Sequence, residues 1–303
     1  MATSTARIIV IIAATLCTSV ALAAQRTFDK RLNAPPGGRF TFNADVGSVA
    51  IVGHDAPEVV VHAEMEGSDS FLDQLHISAE QTSSGVTVSE HAAHSDGWLD
   101  WLRSGSARVH FTIEVPRNYP VDLRSSGGGL DVRQLNASVR GNTSGGGIHL
   151  DDVAGDVNMH TSGGSIVAAH LNGPADLSTS GGPIEVTDST GDLNLDTSGG
   201  GIHIQNDDGS VQGHTSGGSI RAELRTNHGI SLSTSGGSIT LLLPQNTPGS
   251  IDAETSGGSV TSDFPITTTH FSSGDHLHGT IGGGGARIYL HTSGGSIHVA
   301  PES

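Results

Sequence analysis

Residues 158–170, NMHTSGGSIVAAH, contain a phrase, T-S-G-G-S-I, that this 303-residue chain writes repeatedly. Thr-Ser-Gly-Gly begins at Thr143, Thr161, Thr179, Thr197, Thr215, Thr234, Thr255 and Thr292, and Ser125-Ser126-Gly127-Gly128 is a variant. Such a phrase is either a site used many times or the bend of one structural unit stacked many times. Its spacing decides between them. The serines fall at 126, 144, 162, 180, 198 and 216, a constant step of 18, and continue at 235, 256 and 293. Each step divides into two halves of the form G-x-φ-x-φ, where φ is apolar: Gly164 leads Ile166 and Ala168, then Gly173 leads Ala175 and Leu177.

Alternation over five residues is the period of a β-strand. One strand this short cannot bury its apolar side alone, but stacked copies can, because equivalent residues then align in columns. Leu130, Ile148, Ile166, Ile184, Ile202, Ile220, Ile239, Val260 and Ile297 form one apolar column. Val139, Val157, Ala175, Leu193, Val211, Ile230, Ile251 and Ile288 form another. Both are predicted to face inward. One residue after the first column stand Asp131, His149, Val167, Glu185, His203, Arg221, Thr240, Thr261 and His298, a mostly polar set predicted to face solvent. The expected fold is all-β: a parallel β-solenoid, or β-helix, of ~18-residue coils with two short strands each, stacked about 4.8 Å apart.

The phrase marks where alternation slips. Met159 and Thr161 share the inward phase, yet Ile166 lies five residues beyond Thr161. The chain must bend there. The glycine pairs Gly145-Gly146, Gly163-Gly164, Gly181-Gly182, Gly199-Gly200 and Gly217-Gly218 are the expected structural corners. They permit positive φ, and the small Thr can turn in to bond the next coil's backbone. The rival reading is a flat hydroxyl surface of the ice-binding kind, which corner glycines would disrupt.

The ends bound the context. MATSTARIIVIIAATLCTSVALAAQ has one early cation (Arg7), an apolar run from Ile8 to about Leu22, and the small-x-small Ala21-Leu22-Ala23. That is the layout of a secretory signal peptide, residues 1–23, cut after Ala23. An uncleaved anchor is the rival reading, although the run is short for a membrane span. Leu16 before Cys17 argues against lipidation. Cys17 is the only cysteine, so disulfides and Cys-based metal sites are excluded from the mature chain. Removing residues 1–23 takes away Arg7 and no acid, moving the formal charge from −17 to −18. So acidic a chain repels phosphate backbones and anionic lipid, and nucleic acid is not an expected partner. No transmembrane segment is expected in the mature chain, and the sequence sets no oligomeric state.

Residues 24–120 carry fewer glycines and longer alternating runs, FTFNADVGSVAIVGHDAPEVVVHAEM and SARVHFTIEVP among them. They are expected to form an N-terminal β-region that caps the first coil, because an open solenoid end exposes core and strand edges. The solenoid repeats span 121–300 and a tail follows at 301–303. Within them, residues 262–280 read as a longer excursion, with Phe264 and Phe271 covering the core end.

Four stretches, in order, carry a family likeness: GSVAIVGHDAPEVVVHAE, FTIEVPRNYPVDLRSSGGGLDV, the coils of type GDVNMHTSGGSI, and SDFPI…GTIGGGGARIYLHTSGGSIHV. Together they cover nearly the whole mature chain. The sequence resembles the bacterial putative-adhesin family of unknown function, with its Gly-rich β-strand repeats. The resemblance implies an extracytoplasmic β-helical fold and supplies no catalytic residues.

The acids and histidines are the residues that could carry chemistry. Asp151-Asp152 and Asp207-Asp208 lie three coils apart, about 14 Å, wider than the pair of carboxyls glycoside hydrolysis needs. Glu185, His203 and Arg221 are consecutive neighbours, as are Asp196 and His214, but a metal site needs three or four ligands. These read as surface ladders, and no cofactor, metal or catalytic residue is assigned. The two tryptophans stand together in SDGWLDWLRSG. Trp98, Leu99, Trp101 and Leu102 read as a short helical plug on the solenoid end, as a partner or envelope contact, or as a surface for sugar stacking.

The expected function is therefore an exported, non-enzymatic β-solenoid, an adhesin-like or envelope-associated binding or scaffold module. Its partner would be an envelope glycan or protein, and its place the periplasm or the cell surface. The alternative is a polysaccharide-active β-helix enzyme, a lyase or hydrolase. The inside/outside assignment has its own test. Gly164→Val at a corner should cost about 3 kcal/mol or more, and His149→Ser on the outward column less than about 0.5, in urea unfolding; equal costs would refute the assignment.

Overall fold

The computed structural model describes residues 24–92, 108–268 and 274–302. Seven strands precede the regular repeats: β1 (Ala24–Asn33), β2 (Arg39–Ala44), β3 (Ser48–His54), β4 (Glu58–Gly67), β5 (Leu75–Thr82), β6 (Gly85–Ala92) and β7 (Arg108–Pro116). A four-residue helix, α1 (Asp69–Leu72), separates β4 from β5. The repeats then supply strand pairs: β8 (Val121–Ser125) with β9 (Leu130–Leu135), β10 (Val139–Thr143) with β11 (Ile148–Ala154), and β12 (Val157–Thr161) with β13 (Ile166–Asn172). They continue through β14 (Ala175–Thr179) and β15 (Ile184–Thr187), β16 (Leu193–Thr197) and β17 (Ile202–Asp207), β18 (Val211–Thr215) and β19 (Ile220–Leu224), and β20 (Ile230–Thr234) and β21 (Ile239–Leu243). The last group is β22 (Gly249–Thr255), β23 (Val260–Ser262), β24 (Ile266–Thr268), β25 (His276–Ile281), β26 (Arg287–Thr292) and β27 (Ile297–Pro301).

Each coil gives one strand to each of two long sheets. Sheet A runs β1-β4-β7-β3-β9-β11-β13-β15-β17-β19-β21-β27-β23, and sheet B runs β24-β25-β22-β26-β20-β18-β16-β14-β12-β10-β8-β2-β6-β5. Setting aside the antiparallel strands β1, β4, β5, β24 and β25, each sheet keeps eleven parallel strands, and so eleven coils. The register is the one the repeat dictates. Ile148 faces Ile166 and Ile166 faces Ile184, while Val139 faces Val157 and Val157 faces Ala175. Both predicted inward columns are buried, with Val260 at the stack's end only partly so. A solenoid of 18-residue coils is what the chain builds.

The threonine of the repeated phrase bolts each coil to the last. Thr161 Oγ1 donates to Gly146 O at 2.7 Å and accepts the amide of Gly164 at 3.3 Å. Thr179 repeats this with Gly164 O and the Gly182 amide. Ser125 takes the same place in the variant phrase, donating to Gly47 O and accepting from Gly128. These hydroxyls are buried, and only the neighbouring serines are exposed. That disposes of a threonine-covered binding face.

The glycine pairs act differently from the expectation. They lie in the bends, but none of them has positive φ. What they supply is room: a Cβ on Gly164 would land on the carbonyl of Gly146, and one on Gly182 on the carbonyl of Gly164. Coil backbones touch there, so the second glycine of each pair admits no side chain. Positive φ belongs to the opposite corner, at Gln134, Asp152, His170, Asp188 and Asn206, with φ between 54 and 59°. Asn, Asp and His are among the non-glycine residues that tolerate this region best.

Both ends depart from chain order. The coil of β2 and β3 lies between that of β6 and β7 and that of β8 and β9, with Phe40 facing Val121 and Val49 facing Leu130. At the other end, β26 and β27 are inserted between β20/β21 and β22/β23. Ile297 pairs with Ile239 on one side and Val260 on the other. The threonine ladder follows space rather than sequence, from Thr292 to Gly237 O and then from Thr255 to Gly295 O. Within 262–280 the described strands β24 and β25 leave the coil path and pair antiparallel at the end of sheet B, and Phe264 is buried. Phe271 falls outside the described residues. Replacing Thr161 by Val should leave Gly146 O and the Gly164 amide without their side-chain partner; we expect a loss of about 1–3 kcal/mol in urea unfolding with no change in circular dichroism.

Candidate binding surface

The stack turns each outward position into a straight ladder with one rung per coil. Sheet B carries two. One reads Asp122, Arg140, Asn158, Asp176, Asn194, Gln212, Ser231, Tyr289. The other reads Arg124, Asn142, His160, Ser178, Asp196, His214, Ser233, His291. The second is partly consumed by itself, since His160 bonds Ser178 and His214 bonds Ser233, both at 2.8 Å. In the first, Arg140, Asn158, Asp176, Asn194 and Gln212 are exposed and none makes a side-chain hydrogen bond or ion pair within the described protein.

Sheet A is more self-paired near its N-terminal coils. Its outward ladder places Asp131, His149, Val167, Glu185, His203 and Arg221 in register, as expected from the sequence. Asp131 is taken by Arg133 through two bonds of 2.6 and 2.7 Å. Exposed pairs of this kind contribute at most about 1 kcal/mol.

The acidic doublets separate in role. Asp151 bonds His170 at 2.9 Å and raises that imidazole's pKa, chiefly through the hydrogen bond. Asp208 accepts from Thr226 at 2.6 Å. Asp207 is fully buried. It occupies an inward column with Leu135, Val153, Leu171 and Leu224, and its Oδ1 accepts the Ser189 hydroxyl at 2.6 Å while Oδ2 has no partner. Burial pushes its pKa up to about 6, against hydrogen bonds from Ser189 and the Gly209 backbone that pull it down. An enclosed carboxyl cannot reach a glycosidic bond, so Asp207 and Asp208 do not form a hydrolytic pair. Sequence reading missed this polar rung, although Ser189 and Asp207 stand 18 apart in an otherwise aliphatic column. Glu90 is its counterpart near the N-terminal end: buried, its Oε2 accepts the amides of Asp45 and Val46, each at 2.9 Å, and burial raises its pKa.

Among the described residues no group of three or more His, Cys, Asp or Glu side chains is placed to hold a metal, and no helix is long and apolar enough to cross a membrane. Trp98, Leu99, Trp101 and Leu102 lie outside the described residues.

Asp207 makes stability depend on pH in a stated direction. Its folded pKa exceeds the ordinary 3.8, so the native state gains most when the group is protonated and loses stability as pH rises from about 4 to about 6. Relative to Asp207→Asn, which stays neutral, wild type should lose about 3 kcal/mol between pH 4 and pH 7.5; a difference that is flat with pH would refute the assignment.

Three solved structures align over most of the chain. A "putative lipid binding protein" of Parabacteroides distasonis is 12% identical with TM-score 0.45, covering 91% of this chain and 96% of its own. A "putative adhesin" of Bacteroides fragilis is 12% identical with TM-score 0.44, covering 92% and 97%. Another from Parabacteroides merdae is 9% identical with TM-score 0.42, covering 92% and 97%. No curated protein matches the chain. One family model spans residues 39–300, from the inserted N-terminal coil to the inserted C-terminal one, and by that match the chain belongs to the Toastrack DUF4097 family.

Proposed function

We propose that this protein is exported and serves as a non-enzymatic binding or scaffold module of the cell envelope, in the periplasm or at the cell surface. One observation carries the reading. A rigid stack of eleven coils holds a straight row of polar side chains whose donors and acceptors are not spent on one another. Solvated side chains held in register at one-coil steps suit a repetitive partner, because each rung adds a similar contact and the scaffold needs no reordering on binding. The leader-like residues 1–23 and the acidic, cysteine-free remainder support export.

Expression of the full chain in a bacterial host, followed by fractionation and N-terminal sequencing, tests the export reading. The protein should leave the cytoplasm and begin at Ala24; retention in the cytoplasm would remove that part of the proposal. Purified protein should then sediment with isolated envelope material, and absence of binding to every envelope fraction would remove the rest.

A further inference from the structure

The free ladder of sheet B does not lie on a flat face. Corner residues Asp156, Pro174, Asp192 and Ser210 rise beside it, and between the two rows runs a shallow hollow of about 520 Å³. A second hollow of about 570 Å³ continues from it, ending at Arg287 and Tyr289. Ser210 and Gln212 line both, so the two are one trough along the stack axis. From β10 to β26 it crosses seven adjacent strands, six coil steps, or about 29 Å at the usual strand spacing.

We propose that this trough binds an extended, uncharged β-1,4-linked polysaccharide, laid parallel to the stack with about one sugar per coil. The proposal rests on the binding-module reading and names the site and ligand class for it. Length is the first argument. An extended β-1,4-linked hexose chain advances per sugar by nearly the distance between coils and turns each sugar over from the last, so one sugar faces each rung and an identical contact returns at every second rung. A polypeptide strand does not fit this repeat, since it advances about 3.3 Å per residue and falls out of step with coils about 4.8 Å apart.

Chemistry is the second. The central rungs are amides and one carboxylate: Asn158, Asp176, Asn194 and Gln212. Amides both donate and accept, and a carboxylate accepts twice, which matches neighbouring sugar hydroxyls. On the corner side, Asp192 Oδ1 takes the Ser210 hydroxyl at 2.6 Å and its amide at 3.2 Å, which fixes the carboxylate and lowers its pKa. Asp156, Asp176 and Asp192 would repel a polyanion, and the lining cations, Arg140 and Arg287, stand at the two ends only. The far end holds the one aromatic side chain of the trough. Tyr289 is half-buried and held by the Arg287 guanidinium, 5.0 Å from its ring centroid, in the manner of the aromatic stops on which sugar rings stack.

The test uses the purified full-length protein and two uncharged series, cello-oligosaccharides and N-acetylchito-oligosaccharides, titrated calorimetrically at increasing length. Affinity for at least one series should rise with each added sugar to about six or seven units, the number of rungs, and then level off. Asn158→Ala with Asn194→Ala should weaken binding about tenfold or more, as the loss of one or two good hydrogen bonds predicts. Tyr289→Ala should weaken the long oligomers and spare the short ones. His203→Ala on sheet A should change nothing, and all variants should melt with wild type. If neither series binds while envelope material does, or if binding ignores the sheet B variants, the trough assignment is overturned and the binding-module reading survives. If wild type binds neither sugars nor any envelope fraction, both fall.

Discussion

One contact recurs through the repeats, from Thr143 to Thr292 and Thr255: a threonine hydroxyl donating to a glycine carbonyl of the neighbouring coil, over a point where two backbones touch. It requires two residue types at once. A larger group at the second glycine collides with that carbonyl, and an apolar group at the threonine leaves a buried donor and acceptor unpaired. Everything else follows from the register it imposes. Isoleucine falls on isoleucine, and the outward residues fall into rows. The protein is held by many equivalent small interactions, so its stability is closer to a sum over coils than to one packed centre.

Much of this was legible from residues alone, because each feature is local and repeated. The 18-residue step, the two inward columns and the bonding role of Thr161 all follow from alternation and one slip in phase. The opposite corner was legible only in part, because beside its positive-φ glycines Gly155, Gly173 and Gly191 it has a second left-handed position filled by Gln134, Asp152, His170, Asp188 and Asn206, which carry no turn signal in common. The order of coils at the ends was hidden for a deeper reason. Val260 and Ile297 sit in the same frame, and either can follow Ile239 by hydrophobic pattern. A repeat that specifies how coils stack is silent on which coil stacks on which. The trough was legible only in part, since rows of Asn and Asp look like ordinary solvated surface until their neighbours are known.

The charge of the chain is placed to agree with this. Acids are spread over the turns and outward rows, where a lone carboxylate costs little, and among the described residues the two fully buried acids are each held, Asp207 by Ser189 and Glu90 by the amides of Asp45 and Val46. The edge strand β1, which could otherwise template pairing with another sheet, bears Arg26, Lys30 and Arg31. Repetitive β-stacks risk continuing themselves without limit. Here the antiparallel strands β1, β4, β5, β24 and β25 break the parallel pattern at the stack's ends.

The inserted coil of β26 and β27 gives the fold a vacancy during its own assembly. Until those residues arrive, the strands of β20/β21 and β22/β23 face each other across a slot one coil wide, with Thr255 lacking its acceptor at Gly295. Most of the bonds that fill the slot are backbone ladders, which another segment in the same frame could also offer. The chain's own last coil prevails through tethering: a short covalent connection sets its local concentration in the millimolar range, far above that of a neighbour's coil. Fidelity at this end is thus a matter of effective concentration rather than of sequence-encoded fit, and it weakens as chains crowd together.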